Sequence, residues 1–97
     1  MLTKSYIIHQ LQLLKPQLAT ECGIVELALF GSFSRDEAKE DSDVDIFVVL
    51  TSVTFVSLVS IYEVIEAHIP AKIDIVHDGK YLRESLRKSI LKDAIFI

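Results

Sequence analysis

Apolar residues at helical spacing open the chain: Ile7, Leu11, Leu14 and then Leu18 predict a helix from residue 3 to about 15, with Thr3 or Ser5 able to cap it. Pro16 has no amide hydrogen, so it is expected to start a further helical turn rather than continue the first. Cys22-Gly23 then ends the helical part, glycine tolerating the left-handed conformation of a helix terminus. Ile24 to Phe30, IVELALF, is rich in strand formers and stops at Gly31, which predicts a first strand. A short helix is expected after Gly31-Ser32. Asp43 to Leu50, DVDIFVVL, predicts a second strand, and its last five residues are apolar on both parities, so it belongs in the middle of a sheet. Phe55, Leu58, Tyr62, Ile65 and Ile69 form one stripe of an amphipathic helix, with Thr54 as cap and Pro70 as stop. Lys72 to His77 is a third strand and Asp78-Gly79 a turn. A last helix, about 81 to 93, places Leu82, Leu86 and Ile90 inward with Glu84, Lys88 and Lys92 outward, and the closing Ile95-Phe96-Ile97 can add a short strand. The order α-β-(short α)-β-α-β-α implies a mixed α/β or α+β domain, a small mixed or parallel sheet flanked by helices, spanning residues 1–97 as one unit.

Composition narrows the function. With 97 residues, 51% of them hydrophobic, the chain can bury one core, and a net charge of −4 disfavours a grip on nucleic acid by charge. Cys22 is the single cysteine, which excludes an internal disulfide framework and makes a reducing cytoplasm the expected location. The N-terminal MLTKSYIIHQLQLLKPQ lacks an apolar stretch followed by a small-residue cleavage site, so no secretory signal is expected. The 17 residues from Ile46 to Tyr62 carry no charge. Five of them are Ser or Thr and the periodicity changes at Thr51-Ser52, so a buried strand followed by a helix is expected there and no membrane span.

The acids are unevenly placed. Asp36, Glu37, Glu40, Asp41, Asp43 and Asp45 put six of the fourteen into ten residues. Asp43 and Asp45 open an apolar strand, and residues two apart on a strand share a face. Two like charges at the edge of a core repel, unless a hard, oxygen-seeking cation such as Mg²⁺ neutralises them. Asp74 is a third charge inside an apolar strand, where an unpartnered carboxylate is costly. Three converging strand aspartates could hold one or two metals, and two metals can clamp the attacking and departing oxygens of a phosphoryl or nucleotidyl displacement. At the end of the first strand, Gly31 permits close approach of a triphosphate, while the Ser32 hydroxyl and nearby free amides can donate to phosphate oxygens.

Gly31-Ser32, ten residues, Asp43-Val44-Asp45 and then Asp74 on a later strand resemble the signature of the polymerase β-like nucleotidyltransferase superfamily. Length and the stretch LFGSFSRDEAKEDSDVDIFVVL look most like the minimal nucleotidyltransferases, the MNT antitoxins paired with HEPN toxins. The resemblance runs from about residue 10 to the C-terminus, taking in KIDIV and LKDAIFI. It implies that Gly31 and Ser32 bind the nucleotide triphosphate, that Asp43 and Asp45 ligate Mg²⁺, and that Asp74 completes the metal site and helps deprotonate the acceptor hydroxyl. Arg35 matches an arginine common in that loop, which can reach phosphate or brace the loop through nearby acids. Phe33 and Asp36 stand where members often carry Arg and Gly.

The function implied is transfer of AMP from ATP to a hydroxyl, a tyrosine, of a cognate HEPN toxin ribonuclease, with no direct nucleic-acid or membrane partner. Two alternatives remain: a catalytically silent antitoxin acting by binding alone, and a small-molecule nucleotidyltransferase of the aminoglycoside type. His9, His68 and His77 show no metal spacing, Cys22 reads as a small buried hydrophobe, and Lys80, Arg83, Arg87, Lys88 and Lys92 read as a solvated face.

Overall fold

The computed structural model describes residues 2–97. Thr3 starts the first helix, its hydroxyl accepting from the Tyr6 amide at 3.1 Å, and α1 runs from Lys4 to Cys22 without a break. Pro16 lies inside it, contrary to the interruption expected. Pro16 and Gln12, whose carbonyl loses its partner, are both exposed, so water can satisfy the freed group. Ile7, Leu11, Leu14, Leu18 and Cys22 form the buried stripe. Gly23, at φ 74°, closes the helix by donating to Ala19 O at 3.2 Å.

The strands are β1 (Ile24–Phe30), β2 (Val44–Leu50), β3 (Ile73–His77) and β4 (Ile95–Phe96), joined in the order β3-β2-β1-β4. β1 pairs antiparallel with β2 and β4, while β2 and β3 run parallel. β2 is central, as its apolar run predicts. Alternation sorts the strands onto two faces. Leu27, Leu29, Val44, Ile46, Val48 and Ile73 pack under α1 and under α2 (Phe55–Glu66), whereas Ala28 and Phe47 meet α3 (Glu84–Asp93) through Ile90. Burying each such large side chain contributes about 1.5–3 kcal/mol, so the face under two helices holds most of the stability.

Some inward positions move outward. Phe55, in the first turn of α2, is 82% exposed, and burial shifts to Ile61, Ile65 and Ile69, nearer the sheet. Leu86 is exposed because residues 79–82 form a turn, the Leu82 amide bonding Gly79 O at 3.1 Å, so that α3 starts late and rests on the sheet by Ile90 alone. Arg87 is not part of a solvated face: it grips Asp78 with two bonds, at 3.1 and 3.2 Å. The short helix expected between β1 and β2 is a turn, described below. Cys22 is buried, and burial pushes its thiol pKa up. Among the described residues no helix is long and apolar enough to cross a membrane.

Candidate active site

β1 ends and β2 begins at the same edge of the sheet, so Phe30 faces Asp45 across the antiparallel pair, while Asp45 faces Asp74 across the parallel one. Adjacent strands lie about 4.8 Å apart, which sets these two aspartates side by side. Parity decides their direction. Asp45 shares its face with Phe47, and Asp74 shares its face with Val76, so both point to the α3 side while Val44, Ile46 and Ile73 point into the main core. Asp43 precedes β2 at the same edge. It is the only one of the three in an ion pair among the described residues, with Lys72 Nζ at 3.7 Å, so Lys72 serves Asp43 rather than Asp74.

Gly31 is fixed by this arrangement. Its φ is 78°, and a Cβ there would collide with Asp45 Oδ2 and lie 2.9 Å from Asp45 Cγ. Only a residue without a side chain lets the backbone pass the carboxylate. Burial pushes the Asp45 carboxyl above the usual carboxylate range, the Asp74 and Asp43 charges add to that rise, and the Arg35 guanidinium opposes it. A half-buried carboxylate with two like charges nearby is a site that a cation would relieve, and an all-oxygen donor set suits Mg²⁺. Among the described residues, however, no three His, Cys, Asp or Glu side chains are already closed around a metal position, so a cation held by all three aspartates would require side-chain rotation.

After Gly31 the chain turns without becoming a helix. The amides of Arg35, Asp36 and Glu37 bond the carbonyls of Gly31, Phe33 and Ser32, spans of four, three and five residues that no regular helix repeats. Asp36 ends the turn at φ 59°, the left-handed conformation that favours glycine. Lys4 holds it, bonding Asp36 Oδ2 and Ser34 O at 3.2 Å each. Phe33 is buried in the main core and anchors the turn from below. The amides of Ser32, Phe33 and Ser34 precede the first closing bond of the turn and have no backbone carbonyl partner in it, the state of donors that an anion can use. Arg35 is braced by acids: Nη1 meets Asp93 Oδ2 at 2.9 Å and Nε meets Glu37 Oε2 at 3.4 Å, contacts that hold it protonated. A cavity of about 730 Å³ opens beside Asp43, between the start of α1 at Tyr6, the loop 39–42 and Pro70 to Lys72. Of the candidate site residues only Asp43 lines it, so it lies to one side of the Asp45–Asp74 pair.

The structure thus brings Gly31, Asp45 and Asp74 together, with Ser32, Arg35 and Asp43 around them. Sequence reasoning missed Asp93, Lys4 and Lys72 as partners. Asp93 alone left a trace, an acid at the C-terminal end of a helix where the dipole disfavours it.

The sequence profile of the family described as "Polymerase beta, Nucleotidyltransferase" matches residues 12–97. The chain is 33% identical to protein adenylyltransferase MntA of Thermococcus cleftensis over 98 residues, covering all of this chain and 98% of that protein. A candidate protein adenylyltransferase of Methanocaldococcus jannaschii is 29% identical over the full length of both. Among solved structures, a candidate minimal nucleotidyltransferase superposes with a TM-score of 0.81 at 27% identity, covering 97% of this chain and 95% of that one. A toxin-antitoxin structure with AMP-PNP shares the fold at TM-score 0.69 and 18% identity, covering 98% of this chain and 72% of that one.

Proposed function

The chain belongs to the polymerase beta nucleotidyltransferase family, and on that premise we propose that it transfers AMP from ATP to a tyrosine hydroxyl of a cognate HEPN toxin, silencing it in the cytoplasm as a single domain of residues 1–97. The observation that carries the reading is the register Asp45–Asp74 with Gly31 packed against Asp45. The Ser32 hydroxyl and the amides of Ser32 to Ser34 would hold the triphosphate, with Arg35 beside them. Asp43, Asp45 and Asp74 would ligate Mg²⁺, as one ion or two, which when bound polarises the α-phosphate and offsets the charge developing there. Asp74 would take the proton of the acceptor hydroxyl. The acceptor oxygen then bonds the α-phosphorus, the bond from that phosphorus to the bridging oxygen of the β-phosphate breaks, and diphosphate leaves with that electron pair.

Labelled ATP, Mg²⁺ and the partner encoded beside this chain test the proposal. Label should pass to the partner with wild-type protein and not with Asp43→Ala/Asp45→Ala; equal labelling by both, or none by wild type, would overturn it. A second reading, neutralisation by binding alone, draws on the open arrangement of the three carboxylates. It predicts that the double variant still rescues cells from the toxin as well as wild type does.

A further inference from the structure

At the α3–β4 junction, Asp93 reaches the Gly31–Asp36 turn by way of Arg35. Asp93 is the last residue of α3, and its carboxylate meets Arg35 Nη1 at 2.9 Å. An acid at a helix C-terminus is electrostatically unfavourable, and the side chain is only 23% exposed, so helix stability does not explain it. Its place is fixed from beyond the helix: two residues later Ile95 and Phe96 pair with Leu29 and Ala28 of β1, the strand that ends at Gly31. Arg35 and Asp93 are therefore attached to neighbouring strands at the same edge of the sheet. A guanidinium has five donor hydrogens in a planar fork, of which the bonds to Asp93 and Glu37 use two. Arg35 can keep both and still donate to an anion over the turn.

We propose that Asp93 is a positioning residue, which holds the Arg35 guanidinium over the Gly31–Asp36 turn so that its free hydrogens meet the triphosphate. The inference rests on the nucleotide-binding part of the reading above. It goes beyond an ordinary exposed ion pair, which contributes little to stability. Without the carboxylate, a flexible arginine must be immobilised at each binding event, and the anion loses a preorganised partner.

Titration calorimetry of ATP with Mg²⁺ on the whole chain tests it. Asp93→Asn should weaken ATP binding about tenfold and Arg35→Ala by a similar factor. The double variant should be no weaker than Arg35→Ala alone, because both changes remove one interaction. Asp93→Glu, which keeps the charge, should restore affinity to within about twofold, and Tm should change little throughout. Unchanged affinity in Asp93→Asn, additive losses in the double variant, no recovery with Glu, or no ATP binding by wild type would each overturn the inference. The transfer reading fails separately: if wild type binds ATP with the Arg35–Asp93 coupling intact but labels no partner, positioning stands and transfer falls. If transfer is intact and Asp93→Asn is neutral, the reverse holds.

Discussion

The two faces of the sheet are built from alternate residues of the same strands, yet they are opposites. On one, Val44, Ile46 and Val48 of β2 vanish under α1 and α2; on the other, Asp45 stands half-buried beside Asp74, and α3 contributes only Ile90 as a buried contact. The sealed face gains from every buried methylene. The acid face opposes folding as long as its charges are unneutralised, and it persists because the sealed face holds β2 and β3 in register. A one-residue slip of β2 would exchange the two sets, so the hydrophobic pattern that stabilises one face also aims the aspartates of the other.

The largest break expected in this comparison is on the acid face. Asp43→Ala/Asp45→Ala should lower nucleotidyl transfer by about a thousandfold, several kcal/mol of transition-state stabilisation, without lowering Tm. Rates in labelled-ATP turnover alongside a thermal melt measure both, and a lower Tm with rate to match would mean the aspartates are structural. Ile46→Ala strikes the sealed face one residue away. It should cost about 2–5 kcal/mol in denaturant unfolding, and the surviving folded fraction should keep its turnover.

Gly31→Ala joins the two faces' requirements, combining about 1–2 kcal/mol of left-handed strain with displacement of the Asp45 carboxylate. Urea unfolding should show the strain, and turnover should fall by more than the loss of folded protein explains. Smaller still is the titration of Asp45. Its folded pKa lies above its ordinary value, so the stability linked to it is present below the ordinary carboxylate range and is lost as pH rises through the folded value. Asp45→Asn should therefore raise Tm slightly at neutral pH in metal-free buffer and flatten the acid limb of the stability curve. Added Mg²⁺ should raise Tm in wild type and not in the variant. The smallest effect belongs to neither face: Phe55→Ser, at an 82% exposed position, should change stability by less than about 0.5 kcal/mol.

The three long helices, the three main strands and the place of β2 inside the sheet are legible because each leaves a local mark, whereas the antiparallel β1–β2 pairing and the turn after Gly31 leave none. A stripe at helical spacing marked α1, an unbroken apolar run marked β2, and an aspartate within apolar neighbours marked Asp74. Where one residue's environment depends on a distant element, the pattern misled. Phe55 and Leu86 fit the inward spacing of their helices, yet both stand exposed, with no other element covering them. Pro16 predicts a break because a missing amide is a local fact, while the solvent exposure that makes it tolerable is not.

Asp43, Asp45 and Asp74 stand out as candidates in the bare sequence, since a carboxylate beside or within an apolar strand is costly wherever the chain goes. What each of them meets depends on the packed fold. It gave Asp45 the neighbours Asp74 and Gly31, gave Asp43 the counter-charge Lys72, and gave Arg35 the brace of Asp93, 58 residues away in the chain. Alternation fixes which side of a strand a residue faces, but only the pairing of strands and the packing of helices over them fix what it meets there.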